Sequence, residues 1–408
     1  MTELLMTVAV ITGMIMTLTG LILAAKAVVT PGGEVTVVID GRDEPLRVER
    51  GRKLLSALLD AGLPIPAACG GKGTCGACRV RVTGALDAPL ATELAVLDAH
   101  ALSRNVRLAC QVTVRGDLQV GLADGLPSPQ TLDVRVRSNK NLTLLIKELV
   151  LELPEGAPFS FRAGSFVQLE CPPHRTVLGQ LPVDEAYQQR WAALGVQDLA
   201  VACDVPTTRA YSLANHPGEG RVALLYIRLA LPPPGAPPGT PPGIASSYLF
   251  SLKPRDAVRL SGPFGHFMAT DTDKEMVLVG GGVGMAPLRA HVFEQLEGLH
   301  TKRRLSLWYG ARTPGEILCA ESFDRLAAEH PNFTWSVAVS EPDPQQPWAG
   351  ARGFVHEHLR AAFLAKHPHP ADCEYYLCGP PLMIRAVVAT LEQFKVPRSS
   401  IFYDDFGA

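Results

Sequence analysis

The stretch Cys69-Gly70-Gly71-Lys72-Gly73-Thr74-Cys75-Gly76-Ala77-Cys78 puts three cysteines in one glycine-filled loop, and Cys110 follows after 31 further residues. Four thiolates are soft ligands that suit either Zn²⁺ or an iron–sulfur cluster. Zinc normally takes two paired C-x2-4-C knuckles. Here three cysteines share a loop and one stands alone, as in plant-type ferredoxins, except that the first gap is five residues rather than four. Gly70, Gly71, Gly73 and Gly76 permit turns that a Cβ would obstruct and let main-chain N–H groups point at sulfides. The spacing therefore predicts a [2Fe–2S] cluster on Cys69, Cys75, Cys78 and Cys110, with zinc as the alternative.

Around this loop the chain alternates short elements. Glu34–Asp40 is rich in β-branched residues and reads as a strand, and Lys53–Ala61 reads as an amphipathic helix stopped by Gly62 and Pro64. Arg79–Val82 alternates as a strand, Thr92–His100 suggests a second short helix, and Cys110 is expected to open a strand running through Val114. Residues 30–126 thus form an α+β, β-grasp ferredoxin-type domain. It carries 11 acidic and 11 basic residues, and a domain tethered to its electron donor has little need of long-range steering.

Upstream, Leu4–Ala25 is a run of 22 residues without a charge. As a helix it would span roughly 33 Å, against a hydrocarbon core of about 30 Å. Glu3 precedes the run with no Lys or Arg, and the run exceeds a signal-peptide core, so residues 1–29 read as a retained transmembrane anchor rather than a cleaved signal. Lys26 follows the span, which places the later domains in the cytoplasm. Gly13 and Gly20 leave small surface for packing against other membrane helices.

Downstream, residues 127–273 show short strands broken by Gly and Pro, the pattern of an antiparallel β-barrel. A poorly periodic insertion, Cys171–Thr207, and a Pro/Gly-rich loop, Pro232–Gly243, interrupt it. From 274 to 408 strands alternate with helices (Met276–Val279, Leu305–Tyr309, Thr334–Val339, Tyr375–Leu377), which predicts an α/β doubly wound parallel sheet.

Three motifs in this half carry binding chemistry. In Arg209-Ala210-Tyr211-Ser212, the Arg suits a flavin pyrophosphate, the aromatic a flavin ring and the hydroxyl the flavin N5 edge. Gly243-Ile244-Ala245-Ser246-Ser247 opens a helix whose N–H groups can take a phosphate. Gly280, Gly281, Gly282 and Gly284, followed by Pro287, turn an apolar strand into a helix and can set amides against a nucleotide pyrophosphate. Cys378-Gly379-Pro380 ends another strand, where a small sulfur can sit beside a nicotinamide. Phe406, near the carboxyl end, is an aromatic able to cover the flavin. Ser212, Cys378 and Phe406 are the expected catalytic residues.

Composition narrows the class. With 38 Lys+Arg against 40 Asp+Glu there is no basic field for nucleic acid. Nine cysteines, an odd number with one tight cluster, do not suit a secreted disulfide framework. Cys171, Cys203, Cys319 and Cys373 read as structural.

CGGKGTCGAC, RLACQ, RAYSLAN, GPFG, VGGGVGMAPLR, WYGAR, EYYLCGPPLM and YDDFGA together resemble the F subunits of Na⁺-translocating NADH:quinone reductases. Several of these motifs are shared with the wider ferredoxin–NADP⁺ reductase superfamily. The resemblance extends over nearly the whole chain and implies FAD, one [2Fe–2S] cluster and NADH as substrate. It also implies partner subunits in the cell inner membrane that pass electrons to ubiquinone, coupled to Na⁺ export. The rival readings are the reductase component of a monooxygenase or dioxygenase, with the same chemistry but usually soluble, and a non-catalytic membrane-tethered zinc or redox sensor. Arg312 stands without the basic cluster a 2′-phosphate would need, so NADH is expected over NADPH.

Overall fold

A computed structural model describes all residues except 1, 30–32, 68, 123–129, 158, 234, 238, 266, 343–347 and 406–408; for 2–5, 8–9, 22–29, 122 and 405 it describes the backbone alone. The charge-free run forms helix α1 (Thr2–Val29). Its described apolar side chains, among them Met6, Val10, Met14, Leu18 and Leu21, are exposed, and no polar face separates them. Among the described residues no helix is long and apolar enough to cross a membrane. On α1 those side chains run only over 6–7 and 10–21.

The chain divides into two units, one of residues 1–65 and 71–125, the other of 66–70 and 126–408. The first holds β1 (Glu34–Ile39), β2 (Leu46–Glu49), α2 (Leu54–Asp60), β3 (Arg79–Gly84), α3 (Ala91–Leu94), α4 (Ala99–Ser103), β4 (Val106–Leu108) and β5 (Leu118–Leu122). The sheet order is β2-β1-β5-β3-β4, with β1 and β5 parallel and the other pairs antiparallel. Alternation drives the packing: Val35, Val37, Ile39, Val80 and Val82 bury one face, and Leu54 and Leu58 of α2 are fully buried.

Two local expectations change. The stretch 92–100 splits into α3 and α4 because Asp98 caps a new helix, accepting the Ala101 N–H at 2.7 Å. Cys110 does not open a strand. The strand is β4, and the N–H groups of Gln111 and Val112 both donate back to Leu108 O, at 2.8 and 3.1 Å, closing a turn at Cys110.

The second unit begins with a barrel: β6 (Gln130–Thr143), β7 (Ile146–Glu152), β8 (Phe166–Cys171), β9 (His174–Val177), α5 (Glu185–Ala193), β10 (Ala200–Cys203), β11 (Thr207–Ser212), β12 (Val222–Arg228), α6 (Ile244–Ser251) and β13 (Ala257–Phe264). Six strands run β11-β8-β13-β6-β7-β12, every neighbouring pair antiparallel, and a Leu213–Leu225 bridge brings the two ends together. The poorly periodic insertion 171–207 has its own structure: β9 and β10 pair as a ribbon, and Trp191 of α5 buries into the barrel core.

The last part holds β14 (Met276–Gly281), α7 (Met285–Phe293), β15 (Leu305–Ala311), α8 (Ala320–Glu329), β16 (Phe333–Val339), β17 (Ala351–Arg352), α9 (Val355–Leu359), β18 (Glu374–Gly379), α10 (Pro381–Gln393) and β19 (Ile401–Asp405). All six strands are parallel in the order β17-β16-β15-β14-β18-β19. Chain direction across the sheet reverses at β14, so a crevice opens at its carboxyl end.

Candidate functional site

In the first unit Cys75, Cys78 and Cys110 come together. The Cys78 thiol is pushed far above its ordinary range by its hydrogen bond with Cys110, then by burial and the neighbouring sulfurs. A Cys78 thiol that resists ionisation among neighbouring sulfurs needs a cation to compensate its thiolate, which fits iron. Ala77 N–H points at Cys75 Sγ at 3.5 Å. Gln111, not singled out from sequence, donates to Cys110 Sγ and to Gly71 O, both at 3.3 Å. It lies so close to Gly73 that a Cβ there would come within 2.6 Å of it. Cys69 is half-buried on the 66–70 segment, which groups with the second unit.

The strand before Cys110 is anchored by Glu93, another residue missed in the sequence. Its carboxylate takes Arg107 at 2.9 and 2.7 Å and the N–H groups of Leu90 and Leu108 at 3.0 Å. Burial pushes Glu93 up, but the Arg107 fork and the two N–H groups outweigh it, leaving the carboxyl below its ordinary 4.5. A depressed carboxyl contributes stability that is present above that ordinary value and lost as pH falls through the native one. Glu93→Gln should cost about 3 kcal/mol, because it strands the buried Arg107 charge. Thermal melts followed by cluster absorbance should show a large loss at pH 7 that narrows in acid.

On the barrel, Arg209, Tyr211 and Ser212 lie on β11. Arg209 is exposed, and its Nη1 donates to Thr208 O at 2.8 Å. Ser212 is buried and its hydroxyl donates to Asp404 of β19 at 3.3 Å. Gly243 caps α6 at its amino end, where a Cβ would come 2.7 Å from Ser246 Oγ. Ser246 Oγ accepts from Ala230 N–H at 3.1 Å, whereas Ser247 Oγ is buried without a partner. An orphaned hydroxyl at a helix start fits a group with acceptor oxygens, such as a phosphate.

The glycine turn sits at the carboxyl end of β14. Gly282 has φ +56°, the left-handed region. Gly284 has φ −60°, which any residue adopts, yet its Cβ would meet Cys378 O at 2.1 Å. Gly280 pairs with Cys378 in register, and Gly379 packs on the Gly281 backbone. A cavity of about 830 Å³ lies over this edge, walled by Gly281, Gly282 and Pro380 on the sheet side and by Thr143, Ile146 and Arg228 on the barrel side. Gly280, Gly284, Pro287 and Gly379 build the turn beneath it. Cys378 is fully buried in the core with Met285 and Tyr309 and does not line the cavity. Arg209, Tyr211 and Ser212 do not line it either, and Phe406 lies outside the described residues.

Arg289 of α7 ties the sheet to the barrel, donating to Ala214 O at 2.8 Å and gripping Glu219 at 3.0 and 2.6 Å. At the far wall Arg312 is forked onto Glu316 at 2.7 and 3.3 Å, and Glu341 lines the same cavity.

Two family models match separate parts of the chain. The 2Fe-2S iron-sulfur cluster binding domain family matches residues 37–115, and the oxidoreductase NAD-binding domain family matches 278–389. The cytochrome P450 reductase GcoB of Amycolatopsis is similar in structure, with TM-score 0.62, 27% identity, and 92% of this chain and 99% of that one covered. The ferredoxin reductase in carbazole 1,9a-dioxygenase shares the fold at TM-score 0.58 and 24% identity, covering 92% and 99%. A [2Fe–2S] ferredoxin domain followed by an antiparallel barrel and a parallel nucleotide sheet defines a ferredoxin reductase-like oxidoreductase. Among curated relatives, the F subunit of the Na(+)-translocating NADH-quinone reductase of Methylococcus capsulatus is 44% identical over 407 residues, and its counterpart in Idiomarina loihiensis 42% over 408, with 100% of each chain covered. The chain belongs to the family of F subunits of the Na⁺-translocating NADH–quinone reductase.

Proposed function

We propose that this chain is the NADH-oxidising, electron-input subunit of a Na⁺-translocating NADH:ubiquinone reductase. The supporting observation is the cleft of about 830 Å³ between barrel and parallel sheet, in a chain that also carries the cysteine loop. Bound FAD supplies the conversion of one hydride's electron pair into single electrons, which a [2Fe–2S] cluster requires. Arg209 would balance the flavin pyrophosphate, with Tyr211 against the ring. Gly243, Ser246 and the orphaned Ser247 hydroxyl would take a phosphate at the start of α6. Ser212 would support flavin N5, its hydroxyl kept in place by Asp404. Gly280, Gly281, Gly282, Gly284 and Pro287 shape the turn for the NADH pyrophosphate. Gly379 and Pro380 would bound the nicotinamide end, with buried Cys378 positioning it from behind and Phe406 guarding the flavin face. Cys69, Cys75, Cys78 and Cys110 would hold the cluster that hands electrons to a partner in the membrane. Domain boundaries at 29/30, 126/127 and 273/274 follow from the same reading.

In this reading α1 spans the inner membrane once, with the later domains cytoplasmic. The charge-free run, the exposed apolar side chains of α1 and Lys26 after it support this. Removing residues 1–29 should release NADH:ferricyanide activity into the soluble fraction; activity that stays with the membranes would count against the anchor.

Nucleotide choice follows from the cleft wall. Arg312 is spent on Glu316, and Glu341 adds negative charge where a 2′-phosphate would need a cation. NADH should therefore outperform NADPH in kcat/KM, and Glu341→Gln should raise the NADPH value roughly fivefold, the effect of about 1 kcal/mol of relieved repulsion. An unchanged ratio would remove Glu341 from selectivity.

The whole assignment is tested by solubilising membranes and isolating this chain. Partner membrane subunits should accompany it, and NADH-driven ubiquinone reduction should rise with Na⁺. Recovery alone, with Na⁺-indifferent activity toward a soluble oxygenase, would overturn it.

A further inference from the structure

Glu275 precedes β14, Cys373 precedes β18, and His367 comes from the loop between α9 and β18. All three gather at the amino-terminal edge of the parallel sheet. His367 Nε2 is 3.3 Å from a Glu275 carboxylate oxygen and 4.0 Å from Cys373 Sγ, and the three donor atoms lie within 4.8 Å of one another. His369 N–H donates to His367 Nδ1 at 3.2 Å, so the proton sits on Nε2 and that nitrogen faces the other two groups. Phe363 packs against the ring at 4.9 Å and helps to fix its plane. The adjacent carboxylate, Glu374, is not available, being taken by Arg303, Thr270 and Thr272.

A tetrahedral zinc with bonds of about 2.0–2.3 Å separates its ligand atoms by roughly 3.3–3.8 Å. The observed spacings need to close by only a few tenths of an ångström up to about 1 Å to meet that geometry. One sulfur, one imidazole nitrogen and one carboxylate oxygen form a mixed set of the kind zinc accepts. We propose that Glu275, His367 and Cys373 form a zinc site, with water as the fourth ligand. Cys373 is 2% exposed, while the Glu275 and His367 side chains are 12% and 14% exposed, so solvent reaches one side. Binding releases the Sγ and Nε2 protons to solvent, and the metal takes their place. Arg304, 3.6 Å from Glu275 and 72% exposed, is free to turn toward water as the cation enters.

The metal would tie the 365–373 loop to the starts of β14 and β18. Cys378 lies five strand residues further on, roughly 17 Å away. The site is therefore a fastening of the nucleotide unit and does not depend on how the cleft is used.

The test uses the full chain with FAD and iron fully loaded, so that the cluster cysteines are not available to zinc. Dialysis against buffered zinc should add one zinc per chain without loss of iron and should raise the melting temperature. Cys373→Ser and His367→Ala should weaken zinc binding by more than about 100-fold, beyond the loss typical of an outer-shell partner. Zinc retained at wild-type affinity in both variants, or no zinc bound by the wild type, overturns the site. Zinc-edge X-ray absorption on the wild type is independent of variant folding. One sulfur with nitrogen and oxygen neighbours supports the site, and four sulfurs or none would refute it.

Discussion

Cys75→Ala should leave NADH reduction of the flavin within about twofold of the parent, because hydride transfer from NADH needs the flavin and not the cluster, while abolishing the reduced-cluster EPR signal. The cluster needs four thiolate ligands, and the loop holds its sulfurs by backbone geometry that alanine keeps but cannot use. Cys75 is half-buried, with Ala77 N–H aimed at its sulfur, so truncation removes a ligand without opening a large core cavity. Activity with a two-electron acceptor that takes from flavin should survive, and quinone reductase activity in the complex should fall to background. A normal reduced-cluster signal in the variant would show that Cys75 is not a ligand.

Gly284→Ala should act on the opposite half. The backbone dihedral suits alanine, so the cost is space alone: the new methyl would sit 2.1 Å from Cys378 O and 2.6 Å from Gly379 N. Both contacts are backbone atoms of β18, which cannot swing aside as a side chain can, and overpacking of this kind costs about 1–3 kcal/mol. The turn would have to lift off β18, displacing Gly281 and Gly282 at the cleft wall. A shift of about 1 Å in a positioning element can cost roughly 100-fold in rate. The expected result is a fall of that order in kcat/KM for NADH, with cluster reduction by a chemical donor unchanged. Parental NADH kinetics would mean that the turn has slack the packing does not show.

The cysteine loop and the glycine turn were legible because their chemistry is local. A ligand spacing of a few residues, or a strand running into glycines, needs no knowledge of the rest of the chain. The four main strands of the nucleotide sheet were legible for the same reason, since fully buried parallel strands read as apolar runs. The turn at Cys110 was not. Alternating residues such as Val112 and Val114 suggest a strand, but hydrogen bonds back to Leu108 take the backbone another way. The break between α3 and α4 turned on one cap, Asp98, inside a stretch that reads as continuous helix.

Cys378 shows the limit most clearly. Its motif marks a strand end and suggested a sulfur beside a nicotinamide, yet register with Gly280 and the close approach of Gly284 bury the side chain beneath the cleft wall. By itself the sequence determined the domain types, the cysteine loop and the glycine turn, since each shows in the residue pattern of a continuous segment. Only the tertiary structure decided that Asp404 meets Ser212 across 192 residues, that Arg289 grips Glu219, and that Glu275, His367 and Cys373 converge. The physical reason is separation along the chain: the first two pairs join barrel to sheet, and the third group lies at the edge of the parallel sheet. Its neighbouring strands are joined by long crossovers, so residues side by side in space are far apart in the chain, and their register follows from packing that no short motif encodes.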